Sequence, residues 1–280
     1  MLKKAFLVVS LGILLAMALA SVGCASGSGL SDMLARVPAD TKSLKYVDVS
    51  TLRNDADLDD LYDAWKASVD SRLEARGIDH GDVDIFASNL NPGKRFTLLV
   101  GNFDLAELRD ELDDRHYDDD EYKGVEVWKR EAGWGYDPDN EVALMGNLII
   151  LGNEAGVEAC IKVIKEGEAS WLSKVDINDV VSRLPGGLYV DLQKTDLAGL
   201  LIKGLEASGT SFKKQDRDTL RIGGVAKFDD EDDADDAENT IENLMEQQEF
   251  DEVSITQQGE FLKASAELDI DDAASLFQGL

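Results

Sequence analysis

This 280-residue sequence is poor in several residue types that carry chemistry. It holds two histidines, two cysteines and four prolines, and its 57 acidic residues outnumber 28 basic ones, for a formal charge of −29 at pH 7. A surplus of that sign repels nucleic acid and anionic headgroups, so no basic binding face is expected. It attracts cations weakly and without specificity, and chiefly confers solubility. The sequence has no H-E-x-x-H, no G-x-S-x-G, no P-loop and no G-x-G-x-x-G. Zinc-peptidase, hydrolase-elbow and nucleotide-binding readings therefore lack their signatures, and no cofactor or metal is expected. The acidic runs Asp118–Glu121 and Asp229–Glu238 lack the D-x-D-x-D-G-x5-E spacing of a calcium loop. Asp229 to Asp233 read instead as the start of a helix, where carboxylates meet the positive end of its dipole. Apolar residues, at 44%, suffice for a core.

The amino end differs from the rest. Lys3 and Lys4 precede an uncharged run from Ala5 to Ala20, and small residues follow up to Cys24. As a helix that run spans roughly 24 Å, short of a bilayer's hydrocarbon core, and the pattern reads as a secretory signal. Ser21-Val22-Gly23-Cys24 resembles the lipobox of bacterial lipoproteins, with serine where that family usually has an aliphatic residue. The resemblance implies cleavage before Cys24, lipidation of its sulfur and attachment to a membrane through covalent lipid. Ala18-Leu19-Ala20 is an alternative cleavage site that would release a secreted protein. Residues 1–23 are thus expected as signal peptide and 24–29 as a flexible linker. With Cys24 lipidated, Cys160 has no partner for an intrachain disulfide. Its helical spacing with Val157, Ile161 and Ile164 marks it as a buried small hydrophobe.

The remainder reads as two related halves, 30–173 and 174–280. Leu30, Met33, Leu34 and Val37 have helical spacing closed by Pro38; Ile177, Val180, Val181 and Leu184 repeat it before Pro185. Each helix leads to a strand, Tyr46-Val47-Asp48 and Tyr189-Val190-Asp191. Helical spacing follows at Leu58, Leu61, Tyr62, Trp65, Val69 and Leu73, with a weaker counterpart at Leu197, Leu200, Leu201 and Leu205. Strands around Phe96–Phe103 and Leu220–Phe228 both end in Phe-Asp, before further helices. Each half then has a hairpin-like region, the second turning at Gly259 and the first running from Val125 and Val127 through a long loop to Val142–Leu151. Terminal helices follow, at Val157–Ile164 and Ile270–Phe277. The expected class is α+β, a tandem duplication in which each half is a mostly antiparallel sheet with helices packed on it. The region Gly167–Asp176 reads as the joint. The pattern allows two subdomains or one continuous sheet, and favours two.

The order Val37–Thr41 (VPADT), the Tyr-Val-Asp strand, the LGN-x-x-G-V-E-A-C stretch (Leu151–Cys160) and the second LP…YVD start resemble a broad group of uncharacterised, duplicated bacterial envelope proteins. That resemblance implies architecture and no activity.

Individual candidates are few. His80 and His116 each sit among carboxylates but read as solvated loop histidines. Ser211-Phe212-Lys213-Lys214 matches S-x-x-K without its companion motifs, a chance match. The Gly223-Gly224 pair reads as close packing or a bulge. Trp134 and Tyr136, set among glycines in the long polar loop, suit stacking on a ligand. The expectation is a non-catalytic, lipid-anchored extracytoplasmic protein of the cell envelope that binds a protein, glycan or small ligand. Two alternatives stand beside it: a carrier enclosing an apolar ligand between the repeats, and a secreted hydrolase with a dispersed carboxylate pair.

Overall fold

A computed structural model describes residues 28–130, 139–194, 202–246 and 251–274. The helices are α1 (Ser28–Leu34), α2 (Val49–Asn54), α3 (Asp59–Glu74), α4 (Leu105–Asp114), α5 (Glu154–Glu166), α6 (Val175–Arg183), α7 (Glu231–Glu246) and α8 (Ile270–Ala273). The strands are β1 (Ser43–Asp48), β2 (Val83–Asn89), β3 (Phe96–Gly101), β4 (Tyr117–Tyr122), β5 (Val125–Arg130), β6 (Glu141–Met145), β7 (Leu148–Gly152), β8 (Tyr189–Lys194), β9 (Leu205–Lys214), β10 (Thr219–Phe228), β11 (Asp251–Gln258) and β12 (Phe261–Asp269). All twelve join one antiparallel sheet in the order β11-β12-β10-β9-β8-β1-β2-β3-β7-β6-β5-β4. Of the two arrangements the sequence allows, the continuous sheet is the one formed.

Helices cover both faces. On one, Val47, Phe86, Leu99, Ile149, Tyr189 and Phe212 pack with Leu52, Trp65, Val69, Leu108 and Leu112 from α2, α3 and α4. Farther along that face, Ala226, Phe228, Leu262 and Ala264 meet Ala234, Ala237 and Ile241 of α7. On the other, Leu44, Tyr46, Leu98, Ile150, Val190 and Val225 lie under α1, α5 and α6. Burial on both sides erases the period-2 signal, and β7 is buried at every position.

Local chemistry accounts for the helix starts and tight contacts. Asp104 accepts from the backbone of Ala106 and Glu107 to cap α4, and Asn153 caps α5 through Gly156 N–H at 2.9 Å. Gly209 and Gly223 let α6 and its proline approach the sheet. A Cβ at Gly209 would lie 2.7 Å from Leu192 Cδ2, and one at Gly223 only 2.5 Å from Pro185 Cγ. The ladder keeps its register through Gly223 and Gly224, so close packing rather than a bulge explains Gly223.

The two Tyr-Val-Asp segments lie side by side at the sheet centre. Tyr46 opposes Val190 and Val47 opposes Tyr189. Opposed residues of an antiparallel ladder share a face, so the two tyrosines point to opposite sides. Tyr46 joins the core beneath α1, while Tyr189 packs 5.1 Å from the Phe212 ring on the other side. A two-fold axis normal to the sheet would leave each residue on its own face. The tripeptide match is therefore one residue out of step with any such relation.

Several expectations change. Asp118–Glu121 form part of β4, an edge strand whose exposed acids discourage pairing with another chain. Val142–Leu151 is a hairpin, turned at Gly146 with φ 70°. Leu205 begins β9 and is not helical; Leu197, Leu200 and Leu201 lie outside the described residues, as does Phe277. Helix α1 starts at Ser28, inside the stretch read as linker. The presumed joint is tied down: Trp171 is fully buried, its backbone N–H donates to Val37 O at 2.7 Å, and Ser170 bridges Pro38.

Candidate functional site at the foot of the β5–β6 connection

Trp134 and Tyr136 belong to the connection between β5 and β6 and lie outside the described residues, as does Cys24. What is described is the foot of that connection, and it is firmly held. Arg130 N–H donates to Asn140 O at 3.0 Å. Asp139, 5% exposed, accepts from Arg95 Nε at 2.8 Å and Nη2 at 3.3 Å. The Arg76 guanidinium donates to the Asp139 carbonyl and, at 2.6 Å, to the Arg72 carbonyl.

The LGN-x-x-G stretch explains how Arg95 is placed. Asn153 Oδ1 accepts from Arg95 N–H at 3.1 Å while also capping α5. The Arg95 carbonyl accepts from Asn153 N–H and runs so close to the α5 start that a Cβ at Gly152 or Gly156 would lie 2.2 or 2.0 Å from it. The glycines thus admit the strand backbone, and the asparagine fixes the arginine that grips Asp139. Arg76 is positioned by the end of α3, where Gly77 takes φ 70° with Glu111 Cβ pressed against it. None of these arginines was singled out from sequence. Arg72 and Arg76, one helical turn apart with Phe86 or Asp139 far away in sequence, give no local signal.

A second buried polar group lies at the sheet centre. The register carries Thr97, Ser88, Lys45, Asp191 and Thr210 across five adjacent strands in one row. Thr97, Ser88 and Thr210 are buried. Burial pushes the Asp191 carboxyl up to about 6, with the Lys45 charge opposing the rise. The Tyr189 hydroxyl stands 3.5 Å from Asp191 Oδ2, a weak contact.

The other sequence candidates do not converge. Cys160 is fully buried, and desolvation pushes its thiol up, which makes it inert. His80 Nδ1 lies 3.5 Å from Asp79 and 3.7 Å from Asp70 at the rim of α3. His116, at φ 64°, turns the chain into β4. Ser211 is buried against Gly223 O, whereas Lys214 pairs with Asp55 and Asp57; the two do not act together. Asp230 caps the first turn of α7 through Asp233 N–H, and Asp233 pairs with Lys203. Among the described residues, no group of three or more His, Cys, Asp or Glu is arranged to hold a metal ion. None of their helices is long and apolar enough to cross a membrane.

No family model matches the sequence, and none of the curated proteins does. Solved structures do match in fold. Crystal form IV of TP0453 superposes with a TM-score of 0.54 at 11% identity, covering 90% of this chain and all of that one. Crystal form I gives 0.52 at 10% identity, covering 88% of this chain and 96% of the other. At such identities the likeness shows a shared fold of helices on an antiparallel sheet.

Proposed function

We propose that the protein is a non-catalytic, lipid-anchored interaction protein of the cell envelope, presenting the Trp134/Tyr136 loop to a protein, glycan or small ligand. The observation that carries this reading is the Arg76–Asp139–Arg95 clamp at the foot of that loop. A buried carboxylate gripped through both side chain and backbone fixes where the connection leaves the sheet. Lipid on Cys24 supplies location, and two or three acyl chains hold a protein on a bilayer durably.

The body is read as a duplication. Each half opens with a helix on the same face, α1 or α6, followed by a three-strand meander, β1-β2-β3 or β8-β9-β10. A helix on the opposite face comes next, α4 or α7, and then a hairpin whose last strand returns to the meander, β7 to β3 or β12 to β10. The first half adds α2, α3 and the β4–β5 hairpin.

Cys24→Ser tests the anchor. The variant is expected to leave the membrane fraction, and intact mass of the wild-type membrane extract is expected to begin at an acylated Cys24. Unchanged fractionation of the variant, or a mature start elsewhere, removes the anchored reading.

A further inference from the structure

The β11 end of the sheet is open, because among the described residues no strand pairs beyond it. A bulge falls at the start of β11, between Asp251 and Ser254. Residues 254–258 nevertheless keep register with β12, and they hold no charge and no proline to block an edge. Ile255 lies opposite Ala264 on the α7 side of the sheet. Ser254 and Thr256 lie on the other side, opposite Ser265 and Lys263. That side carries cations with few acids of their own. Lys263 opposes Val225, and Arg221 opposes Lys213, all on the face of α6. Lys263 is partly exposed and has no ion pair among the described residues; the charge that acts on it is that of Arg183. Arg183, at the end of α6, lies 3.8 Å over the Phe261 ring and 3.9 Å from Asp179. Arg221 reaches Ser265 Oγ at 3.4 Å, whereas Glu267, its neighbour across the ladder, accepts from Gln215. Lys213 is exposed and has no carboxylate partner among the described residues. Lys227 is already held by Glu206 at 2.7 Å and Glu260 at 3.9 Å. No donor of Arg183, Arg221 or Lys263 is buried without an acceptor, so their unmet donors reach water.

We propose that β11 is a docking edge for an extended acidic peptide, which adds to the sheet as a further strand and turns its carboxylates toward Lys263 and Arg221. An edge strand offers free backbone donors and acceptors, and side chains on one face then set the choice of partner. The spacing fits. Arg221 reaches Ser265, one alternate position along β12 from Lys263, so the two cations are stepped by about 7 Å, the repeat of same-side residues in an extended peptide. An added strand would lie about 10 Å from β12. The intervening Ser254 and Thr256 are short, and a lysine and a glutamate extended toward each other span that gap. A single small anion cannot meet cations stepped so far apart, whereas a peptide with acids at alternate positions can. The remaining acids of the chain oppose it weakly, because screening cuts off charges beyond about 8 Å at physiological salt. The site rests on described residues and is independent of the lipid anchor and the aromatic loop.

The test is calorimetric titration of the purified full chain, at low ionic strength, with a capped heptapeptide alternating threonine and glutamate. Saturable binding is expected, weaker in added salt, by about threefold in Lys263→Gln or Arg221→Gln and by about tenfold in the double variant. The same peptide with glutamine for glutamate should bind about as weakly to the unaltered chain, which carries the test even if the double variant fails to fold. Two further peptides, methylated on the backbone nitrogens of the threonines or of the glutamates, probe the strand pairing; one of them should lose binding. No binding of the acidic peptide, equal binding of the glutamine peptide, or full binding of both methylated peptides overturns the proposal. Tighter binding of a polyuronate hexasaccharide than of the peptide overturns it in favour of an acidic glycan. Fractionation of Cys24→Ser is unaffected by any of these outcomes.

Discussion

Asp139 and Asp191 are both withdrawn from water, yet they sit in opposite electrostatic settings. Asp139 is gripped by Arg95 and flanked by Arg76, with Arg72 within reach of its charge. Asp191 has Lys45 across the ladder, a distant tyrosine hydroxyl and an Oδ1 atom without a hydrogen-bond partner. The first carboxylate is held by a guanidinium fork. The second is the group that burial penalises. Whether a buried charge helps or harms thus depends on what surrounds it and not on burial itself.

The contrast can be broken most forcefully at Asp139. Asp139→Ala removes the buried carboxylate that Arg95 grips and is expected to destabilise by about 3–5 kcal/mol. The check is the urea midpoint at unchanged slope.

Asp191→Asn should act in the opposite direction. The folded carboxyl titrates near 6, above its ordinary value of 3.8. The folded state therefore binds the proton more tightly, and this group's contribution to stability grows as pH falls through 6 and is lost as pH rises above it. The asparagine variant mimics the protonated form, so it should be the more stable at pH 7. That advantage should shrink by about 1 kcal/mol between pH 7 and pH 5. Paired denaturation curves at the two pH values measure it; a constant difference would mean that Asp191 does not titrate there.

The smallest effect is expected where charges remain wet. Lys94 pairs with Asp40, and both side chains are largely exposed. Lys94→Ala should change stability by less than about 0.5 kcal/mol, and less still in high salt. A loss as large as that of Asp139→Ala would abolish the distinction drawn between buried and exposed pairs.

Helical faces were legible because their signal is local. Ile177, Val180 and Val181 are buried on α6, and Val157, Cys160 and Ile161 on α5, as their spacing requires. The hairpin at Gly259 was readable for the same reason, since it turns where alternation restarts. Strand β4 was not, because four successive acids carry no alternation of apolar and polar residues, and only its ladder with β5 makes it a strand. Strand β9 hid behind Ser208, Thr210 and Ser211, polar residues that the sheet buries. The LGN-x-x-G stretch was visible as a motif, but its part in seating Arg95 was not. That part depends on the Arg95 backbone passing 58 residues away in sequence from Asn153.

The amino-acid order by itself determined the mixed α and β class, the apolar helix faces, the turn glycines and the acidic surface. Each follows from periodicity or composition within a short window. Only the tertiary structure decided that both halves share one sheet, that the paired tyrosines face opposite cores, and that Arg76, just past α3, and Arg95, just before β3, meet at Asp139. Those outcomes depend on strand pairing and register between distant segments, which no local pattern encodes.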